Sequence, residues 1–478
     1  MAWAAVFWTC LPPSPPKAFP RLMSRITFQS LARRNEIGCN SYVLEMGSTR
    51  VVLDAGMHPK QEGREAIPDF EELRGLYVDA IIVTHAHLDH SGALPLLQRA
   101  HNEAEVIMTE PTACLVDAML HNSVNVMQAK REQHGLKEYP FFVHAEVERQ
   151  ERTWSYRRVD MPFSLGKEQV RTRFYDAGHI LGSVGVMFQH EGKKIFYTGD
   201  VQFEDQTMLK GAAFPEEEVD VLIMETTRGA VERREGYTRD DEMLKLAQAI
   251  TETLNQGGSV LIPVFAIGKT QELLLMLHEM HHRGLLPKHA PVQIGGLAAK
   301  MTAITDKFAD SVRRNHHGVK LLELKDLVAA NGKKGKTRTT YAPGRIYALS
   351  SGMMTEKTTS NEFAFQFLDN PKNALLMVGY ADPDSPAGAI LKTPQGEAVK
   401  LDQSLAPIPL HCRVEHYDFS GHAQRRLLVE YAKKLKPKKI LLVHGDAPAL
   451  AWFQETLKHD LPNTEIIIPV PGDILALD

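Results

Sequence analysis

Thr84-His85-Ala86-His87-Leu88-Asp89-His90 follows directly on the apolar run Ala80-Ile81-Ile82-Val83. A buried strand that stops at this turn projects His85 and His87 together. It turns Asp89 and His90 toward a neighbouring position. Neutral imidazole and carboxylate are donors that zinc and similar divalent ions prefer, at roughly 2.0–2.2 Å. Two adjacent ions could share a hydroxide and clamp both ends of a displacement reaction. Chance surface histidines are the bland alternative, and so dense a cluster at a strand exit argues against them.

Further ligands for such a site should stand at other strand exits. His179 sits in Asp176-Ala177-Gly178-His179-Ile180-Leu181-Gly182-Ser183, after a strand-like stretch at 170–175. Asp200 closes Ile195-Phe196-Tyr197-Thr198-Gly199-Asp200, His444 follows Ile440-Leu441-Leu442-Val443, and Asp54 follows Val51-Val52-Leu53. Singly, each reads as a structural turn residue. Together they describe one site assembled along one edge of the sheets.

The order Asp54, His85-x-His87-x-Asp89-His90, His179, Asp200 resembles the four motifs of the metallo-β-lactamase superfamily. The chain is also similar to its β-CASP branch, which includes the cleavage-and-polyadenylation endonuclease and bacterial and archaeal RNA-processing relatives. The residues that carry this are Glu225 in Met224-Glu225-Thr226-Thr227, His422 in Asp418-Phe419-Ser420-Gly421-His422-Ala423, and His444 in Leu442-Val443-His444-Gly445-Asp446. Val264-Phe265-Ala266-Ile267-Gly268-Lys269-Thr270-Gln271-Glu272-Leu273 and Ser350-Ser351-Gly352-Met353-Met354 add to it. The resemblance runs from about Ser24 to the C-terminus.

It implies an α/β protein: an αββα metallo-β-lactamase sandwich with an inserted α/β β-CASP domain. It also implies two Zn²⁺ per chain. His85, His87 and His179 would hold one ion, and Asp89, His90 and His444 the other, with Asp200 bridging them. Asp54 would orient a ligand histidine through its free ring nitrogen. Asp89, Asp200, Glu225 and His422 form the implied catalytic set, in which His422, supported by Glu225, protonates or stabilises the leaving oxygen. The implied reaction is hydrolysis of RNA phosphodiester bonds by a metal-bound hydroxide, in RNA processing or degradation. His444 favours RNA over DNA, because members acting on DNA tend to carry valine there. Thr227-Arg228-Gly229 departs from the serine-threonine-tyrosine-glycine type of turn more usual in the branch. A small-substrate hydrolase of thioesters or lactones uses the same ligands. The inserted domain, Glu225, His422 and His444 speak against it. A non-catalytic RNA-binding scaffold is disfavoured because every metal position carries a competent ligand.

At 478 residues, two domains are the prior, and 43% hydrophobic with 24% charged residues is ordinary for a globular enzyme. A net charge of −4 argues against non-specific coating of nucleic acid while allowing a local basic groove. Cys10, Cys39, Cys114 and Cys412 show no CxxC spacing, which suggests reduced thiols and a cytoplasmic location. No stretch suggests a membrane partner, and a homodimer is common in the family. The apolar, proline-rich residues 1–22 lack a basic start and read as a disordered leader. The sandwich is then expected over 23–226 and 396–478. An alternation of helices and strands favours a parallel sheet in an insertion over 227–395.

Several local signals point elsewhere on inspection. Gly268-Lys269-Thr270 mimics a phosphate loop, but Pro263 stands where its first glycine should be. Lys269 is then expected to face an RNA phosphate. Ser350, Ser351 and Gly352 form a turn whose amides can cradle a phosphate. The basic runs Lys333, Lys334, Lys336, Arg338 and Lys433, Lys434, Lys436, Lys438, Lys439 read as solvated segments. His281-His282 and His316-His317 show no carboxylate at ligand spacing in the sequence and read as surface residues.

Overall fold

A computed structural model of the chain describes residues 25–325, 327–329 and 341–478. The leader, Cys10 and the basic run at 333–338 lie outside the described residues. Two seven-stranded sheets form the sandwich. The first runs, in spatial order, Ile474–Ala476, Ile26–Ser30, Tyr42–Met46, Thr49–Leu53, Ala80–Ile82, Glu105–Met108 and Ser155–Tyr156. The second runs Glu465–Ile467, Lys439–Val443, Val221–Glu225, Lys193–Tyr197, Val184–His190, Val170–Asp176 and Pro162–Leu165.

Strand alternation explains the layers. Phe28, Leu44, Val51 and Leu53 face Phe174, Val186, Tyr197 and Ile223 across the inner core. Val43, Val52, Ile81 and Val106 point the other way, against Leu115, Val116 and Leu120 of the helix Glu110–His134. On the far side, Phe196, Leu222 and Leu442 meet Leu428 of Arg425–Leu435 and Phe453 of Ala447–Asp460. The arrangement is helix, sheet, sheet, helix.

A third sheet carries Leu327–Ala329, Val292–Ile294, Ile346–Leu349, Val260–Pro263, Ala374–Met377 and Arg413–His416, all parallel. Both faces of its central strands are buried: Val260 and Ile262 enter one core, Leu261 the other. This is why the strands read as continuous apolar runs. The final strand overruns the expected limit at residue 395. Arg413–His416 pairs with Ala374–Met377, and Leu401, Leu410 and Cys412 pack into the core on one face of this sheet. The chain rejoins the sandwich only after His416. The basic run near 433–439 is neutralised by pairing: Lys434 with Glu216, Lys436 with Glu218 and Lys438 with Asp220. His316 Nε2 lies 2.6 Å from Glu279 Oε1, a partner 37 residues distant in sequence. Among the described residues, no helix is long and apolar enough to cross a membrane.

Candidate active site

Parallel pairing sets the site's edge. Val221–Glu225 runs parallel to both Lys193–Tyr197 and Lys439–Val443, so Asp200, Glu225 and His444 emerge together. In the other sheet Thr49–Leu53 and Ala80–Ile82 are parallel in register, which brings Asp54 beside Thr84 and the histidine turn. Asp54 and His444 adopt positive φ, at 61° and 53°, as the chain turns sharply out of each strand.

The ligand atoms of His85, His87, His179 and Asp200 converge within 4.8 Å of one another, as do those of Asp89, His90 and His444. Asp200 stands between the groups. Its Oδ2 lies 3.4 Å from His85 Nε2 and 3.7 Å from His179 Nε2; its Oδ1 lies 3.4 Å from His90 Nε2 and 3.2 Å from His444 Nδ1. His444 Nε2 is 3.3 Å from Asp89 Oδ2.

Hydrogen bonds fix the tautomers. His179 Nδ1–H donates to the Gly421 carbonyl at 2.7 Å, and His90 Nδ1 meets Asp54 Oδ2 at 2.8 Å. Thr84 gives its hydroxyl hydrogen to Asp54 and lies 3.1 Å from His85 Nδ1, so it accepts there. Thr227 Oγ1 takes the same part toward His444 Nδ1 at 2.9 Å. His85 and His179 thus turn Nε2 lone pairs toward Asp200, His90 is held between Asp54 and Asp200, and His444 presents Nε2 to Asp89. Acceptors behind metal-facing histidines are the usual support of a metal site.

Electrostatics agree. Burial pulls His85 and His179 well below the ordinary histidine range and His87 to about 4, which keeps them neutral. Burial works against the carboxylates, yet His444 and His90 hold Asp89 down at about 2 and keep Asp200 ionised as well. Those five groups are in the protonation states that metal binding requires; against burial, Asp200 and Asp54 hold His90 well above the ordinary histidine range, so an incoming ion would displace its proton. Two fully buried atoms, His85 Nε2 and Asp200 Oδ1, have no hydrogen-bond partner. Such orphans are costly unless a cation meets them. The residues fit a divalent metal.

His422 stands beside this cluster, its Nδ1 3.3 Å from both oxygens of buried Glu225. Burial would lower its pKa, but Glu225, then Asp200 and Asp89, hold it above the ordinary value. Glu225 is fixed by the Val201 amide at 2.7 Å.

Lys269 departs from its expected place. Its ammonium donates to the Phe419 carbonyl, three residues before His422, and burial lowers its pKa to about 8. It ties the inserted domain to the His422 loop. The Ser350-Ser351-Gly352 turn packs beside Phe265, with a Cβ built on Gly352 falling 3.1 Å from its ring. Sequence reasoning missed the residues that hold the site. Tyr197 donates to Asp54 Oδ2 at 2.8 Å, Asn40 donates to the Asp89 carbonyl at 3.0 Å, and Gln202 donates to the Ser420 and His422 carbonyls at 3.1 Å. Arg228, at the position of the unusual turn, forms a bidentate pair with Asp418 at 2.9 and 2.8 Å.

Comparison with known proteins bears on this geometry. Residues 34–241 match the metallo-beta-lactamase superfamily, 270–390 the Beta-Casp domain, and 407–469 the Zn-dependent metallo-hydrolase RNA specificity domain. The "RNase J-like protein" of Methanocaldococcus jannaschii is 30% identical, over 92% of this chain and 97% of that one. The chain belongs to the β-CASP branch of the metallo-β-lactamase superfamily. Within that branch it is 30% identical to "Transcription termination factor FttA" of the same archaeon, over 95% of this chain and 72% of that one. It is 29% identical to "Cleavage and polyadenylation specificity factor 73" of Drosophila melanogaster, over 95% of this chain and 65% of that one. It therefore spans just under two thirds of the insect relative's length. A solved structure, "Crystal Structure of a Protein of Unknown Function from Enterococcus faecalis V583", shares the fold. Its TM-score is 0.55 at 14% identity, covering 95% of this chain and 100% of that one.

Proposed function

We propose that this β-CASP protein is a two-zinc ribonuclease that hydrolyses RNA phosphodiester bonds. The observation that carries the reading is the pair of orphaned buried atoms, His85 Nε2 and Asp200 Oδ1, at the centre of seven converging ligands. His85, His87 and His179 would hold one ion, Asp89, His90 and His444 the other, and Asp200 both. Bound there, zinc supplies Lewis acidity toward the phosphoryl oxygens and lowers the pKa of the attacking water.

The remaining work falls to the chain. Glu225 engages His422 at Nδ1, which leaves Nε2–H to donate to the departing 3′ oxygen. Asp54 keeps His90 oriented. Substrate choice rests on the RNA specificity domain match at 407–469 and on relatives whose names mark them as RNA-processing proteins. Ser350, Ser351 and Gly352 would meet a substrate phosphate. A cytoplasmic location and a homodimer belong to the same reading, and light scattering tests the latter.

The decisive experiment offers labelled single-stranded RNA and matched DNA to the purified, zinc-loaded protein. The expected products are metal-dependent RNA fragments with a 5′-phosphate and a 3′-hydroxyl. Ends carrying 2′,3′-cyclic phosphate would mean attack by the RNA's own hydroxyl and overturn the reading. Intact RNA with rapid hydrolysis of thioesters or lactones would move the protein to the small-substrate class.

A further inference from the structure

Two large aromatic side chains stand exposed where the third sheet meets the site. Phe265 is 39% and Tyr380 53% exposed. Each closely follows a fully buried strand, Val260–Pro263 and Ala374–Met377, and these strands are parallel neighbours. Both residues therefore lie just beyond the carboxyl edge of the sheet, the edge where open parallel sheets bind ligands. Neighbouring contacts turn that edge toward the metal cluster. A Cβ on Gly268 would lie 2.5 Å from Ile180, the residue after His179. Lys269 reaches Phe419, and Lys60 pairs with Asp382.

The surroundings say what the rings can take. Burial raises the Tyr380 phenol to about 12, with Asp382, Asp446 and Asp384 adding to the rise. Carboxylates that surround Tyr380 repel phosphate, so its ring rather than its hydroxyl is the useful surface. Phe265 has no polar group at all and rests against Gly352. An apolar face beside the Ser350–Gly352 turn suits a base whose phosphate occupies that turn.

We propose that Phe265 and Tyr380 are stacking platforms for bases of a single-stranded RNA next to the scissile phosphate. The assignment rests on the ribonuclease reading for its substrate class. Every base presents a π-face, so such platforms select unpaired RNA without selecting sequence. A duplex keeps its bases stacked on one another and cannot use them.

The test measures equilibrium binding of a fluorescent single-stranded RNA to the zinc-loaded protein, beside the same RNA with abasic positions placed one at a time. Phe265→Leu and Tyr380→Leu should each weaken binding roughly 5- to 150-fold. Phe265→Trp and Tyr380→Phe should bind as wild type. Each Leu variant should lose nothing further on the RNA that lacks its partner base, because ring and base act as one contact. Zinc content and thermal melting report whether a variant is folded. Leu variants that fold and bind intact RNA as tightly as wild type would overturn the proposal, as would losses that simply add to those of the abasic sites. Binding is read apart from cleavage. Wild-type protein that cuts no RNA yet shows this ring-dependent binding would sink the ribonuclease reading and sustain the platforms.

Discussion

At the scale of single residues, Asp54 shows how much of the site lies behind the ligands. It accepts from the Thr84 amide and hydroxyl and from Tyr197, and meets His90 Nδ1 at 2.8 Å, all in complete burial. Asp54→Asn keeps the volume but removes the charge and one acceptor. Competition with a zinc-responsive dye should show one ion bound roughly 10- to 100-fold more weakly. His422→Ala should behave in the opposite way. It should retain about two zinc ions by elemental analysis and lose roughly 10²–10⁴-fold in turnover on RNA. A substrate with a better leaving group should recover part of that loss. Loss of an ion from His422→Ala would show that the side chain is a ligand and that its assigned role is wrong.

At the scale of elements, the Arg228–Asp418 pair joins the turn after Val221–Glu225 to the loop that delivers His422. Arg228 is buried and Asp418 largely so, and removing one partner leaves a charge uncompensated. Arg228→Met should cost about 2–3 kcal/mol, below the range for fully buried pairs, as a lower urea midpoint. The pH dependence has a definite sign. Burial alone would raise the Asp418 pKa, but Arg228 holds it below the ordinary value. A carboxylate depressed in the folded state stabilises above its unfolded pKa and loses that contribution as pH falls through the folded one. Wild type should therefore lose this share of its stability only below roughly pH 4, and Arg228→Met should flatten that limb of the melting profile.

The same pair marks the limit of what sequence could reveal. A strand that ends in a carboxylate or imidazole is a local pattern, and the recurrence of that pattern at His85, His179, Asp200 and His444 is what makes them legible as a set. Arg228 and Asp418 are separated by 190 residues, and no periodicity connects them. The Phe419 carbonyl that Lys269 meets is likewise beyond any local pattern, since it arrives from 150 residues away. Arg413–His416, which follows the expected limit at residue 395, is short and partly polar. Only its pairing with Ala374–Met377 reveals its sheet.

At the scale of the molecule, the ligand cluster acts as a clasp. His85, His87, Asp89 and His90 come from the first sheet's turn, while Asp200 and His444 come from the second. Ions bound there would bind the folded state and not the unfolded one, adding stability by mass action. A strong chelator should lower the melting temperature as well as abolish RNA cleavage, and zinc should restore both. An unchanged melting temperature would mean that the sheets hold the cluster in place without metal.

The route of the chain gives this clasp a timing. Ile474–Ala476 pairs with Ile26–Ser30, so the first sheet takes an edge strand that follows the whole inserted domain in sequence. His444 also arrives late, long after His85 and Asp200. Domains of a growing chain fold as their residues emerge from the ribosome. On this topology, the inserted domain can settle while the catalytic cluster still lacks a member. A nuclease built in this order gains no complete set of seven ligands until the inserted domain and the strand before His444 have both been made.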